Sequence, residues 1–99
     1  MSSELVIQAG DDGRAVIRLR EPGSTGYEWV VVDLPEPLRL VANRYDADAV
    51  AGDDVVDSGG QHIFTVIVPE PGSYVVKFSL RQAWEAEPLD SQDVRVVRD

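Results

Sequence analysis

Cysteine is absent from the 99 residues. Disulfides, a thiolate metal site and a thiol nucleophile are therefore excluded, and stability has to come from packing in any redox compartment. Long apolar runs are absent too. Nothing approaches the ~20 residues that cross a bilayer, and Met1-Ser2-Ser3-Glu4 lacks the basic stretch and apolar segment of a signal peptide. The chain as it stands reads as soluble and cytoplasmic, with an exported origin left open. Positive charge is scarce: nine Lys and Arg face eighteen Asp and Glu, for a formal charge of -9. Such a balance repels phosphate backbones and anionic lipid, so neither nucleic acid nor membrane is expected as a partner. No helical period, internal repeat or low-complexity segment is found, and the length suits one domain spanning residues 1–99.

What is present is strand pattern. Leu5 to Gln8 is a short apolar run ended by the turn cluster Gly10-Asp11-Asp12-Gly13. Arg14 to Arg20 alternates, with Ala15, Ile17 and Leu19 on one face and Arg14, Arg18 and Arg20 on the other, the period of a half-buried strand. A loop from Glu21 to Gly26 follows. Tyr27 to Val32 is aromatic and β-branched, with Tyr27, Trp29 and Val31 sharing a face. Beyond Pro35 and Pro37, Leu38 to Tyr45 reads as a fourth strand, and the acid-rich stretch from Asp46 to Gly60 as a long exposed loop.

His62 to Val68 has the near-continuous apolar character of a central strand buried on both faces. Pro69-Glu70-Pro71-Gly72 is a turn. Ser73 to Arg81 then alternates cleanly, with Tyr74, Val76, Phe78 and Leu80 inward, and Gln92 to Val97 closes the series after a polar segment from Gln82 to Ser91. Seven short strands in about 100 residues predict an all-β, immunoglobulin-like sandwich of antiparallel strands, with a small open barrel as the alternative. If successive strands alternate in direction, the loops after the second, fourth and sixth strands emerge at one end. Those loops hold the glycine-rich turn at Gly23 to Gly26, the segment ending in Asp57-Ser58-Gly59-Gly60, and the segment with Trp84.

On these residues the sequence resembles the chagasin family, inhibitors of papain-like cysteine proteases. Pro22-Gly23-Ser24-Thr25-Gly26-Tyr27, followed by Trp29, is similar to that family's Asn-Pro-Thr-Thr-Gly-Phe/Tyr loop. Asp57-Ser58-Gly59-Gly60 is similar to its Gly-x-Gly-Gly loop, and Gln82-Ala83-Trp84 occupies the place of its Arg-Pro-Trp. The chain departs at Gly23 for proline, Pro22 for asparagine, Asp57 for the first glycine, and Gln82-Ala83 for Arg-Pro, with Arg81 one residue earlier. The resemblance implies a wedge of three loops in a papain-like protease cleft. Gly23, Ser24, Thr25, Gly26 and Tyr27 would form the tip, Ser58, Gly59 and Gly60 would offer backbone groups, and Arg81, Gln82, Ala83 and Trp84 would form the flanking anchor. It implies a non-enzymatic protein with no cofactor, and a monomer is the simplest form for entering a cleft.

Other readings are weighed against it. Trp84 could cap the core instead of anchoring a partner. Trp29, in phase with Tyr27 and Val31, is a core residue, with Tyr27 at the boundary. His62 is the only histidine beside seven serines, but without a Gly-x-Ser-x-Gly elbow a hydrolase site is disfavoured and a structural role expected. The Asp46 to Asp57 acids are a poor calcium loop, because Val50 and Ala51 stand where an oxygen ligand and a glycine are needed. An immunoglobulin-like module that binds a different protein is the alternative function.

Overall fold

The computed structural model describes residues 4–22, 26–47, 59–85 and 87–99. Seven strands run through them: β1 Leu5–Gln8, β2 Arg14–Glu21, β3 Tyr27–Asp33, β4 Arg39–Ala47, β5 Gly60–Ile67, β6 Gly72–Gln82 and β7 Asp90–Arg98. They form two sheets, one in the order β1-β7-β6-β3 and the other β2-β5-β4. This is the immunoglobulin-like sandwich that the strand pattern predicts.

Alternation in sequence becomes alternation in burial. Along β2, Ala15, Ile17 and Leu19 are buried, while Arg14, Val16, Arg18 and Arg20 are exposed. Val76, Phe78 and Leu80 of β6 and Val94 and Val96 of β7 face them from the other sheet. Phe64 and Phe78 meet at the centre with ring centroids 4.8 Å apart and planes tilted by 51°, a favoured aromatic geometry. Burial of these apolar side chains is the main stabilising term for a domain without cross-links.

Four local features differ from the sequence reading. First, β1 runs parallel to β7, although the strands were expected to be antiparallel throughout. Direction alternates along the chain, so two odd-numbered strands that become neighbours must run the same way. At that seam Arg95 donates from Nε to Glu4 Oε1 at 2.8 Å, which holds the Glu4 carboxyl below its usual range.

Second, β4 extends to Ala47, through the start of the expected loop, because Asp46 and Ala47 pair with Gln61 and Gly60. All nine of its residues are exposed, as suits an edge strand that no second sheet covers. Third, β5 is buried on its inner face, whereas on its outer face Gln61 is exposed and Thr65 and Ile67 are half-buried. Only Ile63 of that set is buried, flanked in register by Arg18 and Arg44, whose long methylene stems suit covering apolar surface. A central strand in a sheet with an open face needs only one fully apolar side.

The fourth difference is Glu21, which belongs to β2 and is buried. It stands where the expected loop began. It keeps the inward phase of Ala15, Ile17 and Leu19, and its carboxylate finds partners there.

Candidate functional site

Antiparallel pairing brings the ends of six strands to one edge. In the three-stranded sheet Gly60 lies between Glu21 and Ala47, so the β2–β3 and β4–β5 connections leave side by side. In the other sheet Tyr27 pairs with Gln82, so β3 begins where β6 ends. The stems of all three loops singled out in the sequence therefore share this end.

Hydrogen bonds across the sandwich hold the stems together. The Trp29 backbone N–H donates to Glu21 Oε1 at 2.7 Å, and its indole Nε1–H donates to the Arg20 carbonyl at 2.7 Å. Trp29 is buried, with 6 % of its surface exposed, so it is a core residue and ties β3 to β2 directly below the first loop. His62 is buried beside Glu21, with Nδ1 2.9 Å from Oε1, and its Nε2 contacts Asn43 Oδ1. Its ring stacks on Phe64 at 4.5 Å and 7°. Every buried side-chain nitrogen and oxygen among the described residues has a partner, which is why this polar cluster is tolerated inside the fold.

Trp84 is 73 % exposed, so it does not cap the core. Instead it rests against the first loop: a Cβ added at Gly26, where φ is +77°, would stand 2.9 Å from Trp84 Cη2. Glycine serves two needs there, the left-handed backbone and the close approach of the indole. The third loop starts with a turn closed by the Glu85 N–H donating to the Gln82 carbonyl at 3.2 Å, and Arg81 reaches the Glu85 carbonyl at 3.5 Å. The Leu89 N–H donates to the Leu80 carbonyl at 2.8 Å and closes the loop's return.

Ala83 occupies the second position of this turn, where proline fits both common turn types. Ala83→Pro is accordingly expected to tighten binding of any partner gripped by Trp84 about two- to five-fold, the equivalent of ~0.4–1 kcal/mol of removed loop freedom. Inhibition or binding titrations of the two proteins side by side would measure it.

Of the expected contact residues, Gly26, Tyr27, Gly59, Gly60, Arg81, Gln82, Ala83 and Trp84 fall in the described part. Gly26, Ala83 and Trp84 are exposed, and Tyr27, Arg81 and Gln82 are half-buried. Gly59 and Gly60 are buried, and Gly60 is paired on both sides. A Cβ on Gly60 would collide with the Asp46 carbonyl oxygen and come within 2.7 Å of Ala47 Cα. Gly60 is thus a stem residue, its small size required by the approach of β4. Gly23, Ser24, Thr25, Asp57 and Ser58 lie outside the described residues.

Glu21 and Asn43 are the residues at this end that the sequence reading missed. Glu21 had a signal in its inward phase, whereas Asn43 had none, since nothing local says which strand will face His62. His62 has the structural role expected of it. Among the described residues no three His, Cys, Asp or Glu groups gather as a metal ion would need.

Comparison with known proteins agrees with this layout. The sequence model of the chagasin family of peptidase inhibitors matches residues 9–96. No curated protein matches the sequence significantly. Among solved structures, a cysteine protease inhibitor from Entamoeba histolytica, EhICP2, superposes with a TM-score of 0.73 at 24 % identity, covering 99 % of this chain and 87 % of that one. Amebosin superposes with a TM-score of 0.66 at 23 % identity, covering 98 % and 89 %. At such identities the likeness speaks for the fold, and the family match covers nearly all of the chain.

Proposed function

The chain belongs to the chagasin family of peptidase inhibitors, and from that membership we propose that it is a reversible inhibitor of papain-like cysteine proteases. A member of an inhibitor family is not an enzyme, so the hydrolase reading falls away. The cysteine-protease target is supported by the Entamoeba histolytica inhibitor that shares the fold.

In this reading the Gly23 to Gly26 segment enters the protease cleft as a narrow tip, with Thr25 fixing the loop or contacting the enzyme and Tyr27 at the boundary with the core. Ser58 would present its backbone groups to a cleft that normally receives an extended peptide, with the buried Gly59 and Gly60 as the stem beneath it. Trp84, supported by Arg81, Gln82 and Ala83, anchors the flank. The observation that carries the reading is the exposed indole of Trp84 laid against Gly26. A large apolar side chain left in solvent beside a convergent set of loop stems suits a partner's pocket, and tryptophan is the residue type that most often dominates interface energy.

Stems tied by Glu21, Trp29 and His62 pre-organise the loops and lower the entropy lost on binding. An interface of about 1,600 Å² would then suffice for tight association of one monomeric chain with one protease. Titration of papain and of a cathepsin L-type protease with the pure protein tests this. Peptide hydrolysis is expected to fall in proportion to added inhibitor, with the inhibitor recovered uncut. Unchanged hydrolysis at about micromolar inhibitor, some 8 kcal/mol of binding free energy, would leave a module that binds some other protein.

A further inference from the structure

The outer face of the three-stranded sheet gathers positive charge on a chain that has little of it. Arg14 of β2 and Arg39 of β4 flank Ile67 in one row, and Arg18 and Arg44 flank Ile63 in another. Arg20 continues the β2 column toward the loop end, where Gln61 stands between it and Asp46. Five of the nine basic residues thus share this face with a single in-register carboxylate, although the chain carries eighteen acids. We propose that the face docks an acidic segment of a partner protein, with carboxylates held by the two arginine columns and apolar side chains seated on the strip between them.

The opposite face of the sandwich shows what a self-sufficient surface looks like. There Arg81 stands opposite Glu28, Lys77 stands between Asp33 and Asp93, and Arg95 is ion-paired with Glu4 at 2.8 Å. Each basic residue has a carboxylate of its own, the arrangement that stabilises a sheet. The arginine columns have no such balance. Arg14 meets Asp12 at 3.6 Å and Arg44 meets Asp46 at 4.0 Å, both pairs largely exposed, so water screens them and an incoming carboxylate can compete. Arg18 and Arg39 form no ion pair with a described residue.

Strand spacing sets the columns about 10 Å apart and the two rows about 13 Å apart. Between them run the buried Ile63, the half-buried Thr65 and Ile67, and the exposed Val16 of β2. A guanidinium fork matches a carboxylate with two parallel hydrogen bonds. The face therefore offers charge at its sides and apolar surface along its middle, which suits carboxylates interleaved with apolar residues. A uniformly charged polymer such as nucleic acid or a sulfated glycan fits less well, because the rest of this acidic chain repels it beyond the rim of the face.

A fluorescent synthetic peptide of alternating Glu and Leu, long enough to span both rows, is the probe. It is expected to bind the wild type with a dissociation constant below about 100 μM. Arg18→Gln with Arg44→Gln should weaken it about ten-fold or more, the size of one charge-assisted hydrogen bond. Arg14→Gln with Arg39→Gln should do the same and keeps the test open if the first pair, beside the buried Ile63, fails to fold. Lys77→Gln on the opposite face should change nothing. Replacing the peptide's Glu by Gln, or its Leu by Ser, should each cost about ten-fold.

Three results overturn the proposal: no binding at about 1 mM peptide, binding indifferent to both arginine pairs, or equal binding of a sulfated oligosaccharide. Sedimentation of the protein alone adds a fourth, since concentration-dependent assembly that both arginine pairs abolish would give the face to a second copy. The peptide titration contains no protease, so its outcome is separate from the inhibitory reading. Arg14 and Arg39 lie at the end of the sheet away from the three loops, and their double variant is expected to inhibit a protease as the wild type does. Inhibition lost in step with peptide binding would assign the face to the protease and overturn the proposal as well.

Discussion

Trp84→Ala is expected to raise the inhibition constant about 30-fold or more, equivalent to ~2 kcal/mol or above, the range of interface anchors. Thermal unfolding should stay within about 4 °C of the wild type, because a substitution at an exposed position seldom moves stability by more than ~0.5 kcal/mol. The separation of the two effects follows from geometry. Trp84 is 73 % exposed and its indole lies against Gly26, so little buried surface is lost with it. Calorimetry alongside inhibition titration would measure both. A large fall in unfolding temperature, with inhibition unchanged, would return Trp84 to the role of core cap.

Phe64→Ala is expected to have the opposite profile, with the larger effect on stability. Phe64 is fully buried, stacks on His62 and meets Phe78 at 4.8 Å. Truncating such a ring costs about 3–5 kcal/mol through lost burial and the cavity left behind. For a domain of this size the unfolding temperature should drop by about 12 °C or more. His62 also loses the surface it rests on, so inhibition should weaken even at temperatures where the variant is folded. Denaturant unfolding with unchanged slope and a lowered midpoint would identify the loss as one of packing. A shift below about 1 kcal/mol would contradict the central place of this ring.

Much of the fold was legible because β-strands write their burial into sequence with a period of two. Ala15, Ile17 and Leu19, or Val76, Phe78 and Leu80, could be assigned to one face without knowing what covers it, and all are buried. Trp29 was legible as core for the same reason. The edge character of β4 and the open outer face of β5 were not, since a strand's local pattern does not say how many neighbours its sheet will have. Glu21 sits in plain phase with the core, yet the sequence reads as a loop starting there, and a lone carboxylate is costly to bury unless it finds partners. The partners that make it tolerable, Trp29 and His62, lie 8 and 41 residues away.

The candidate site divides the same way. Strand order placed the glycine-rich first loop, the Gly59-Gly60 pair and the Trp84 segment at one end, and the resemblance to the chagasin family marked them as contact candidates. That Trp84 leans on Gly26, that Gly60 is wedged between β2 and β4, and that Glu21, His62 and Asn43 link two stems were decided by the tertiary structure. Strand identity, inward face and loop chemistry are local properties, set by residues within a few positions of one another. Contacts between loops depend on how two sheets stack and register, and only the folded chain brings those distant residues within reach.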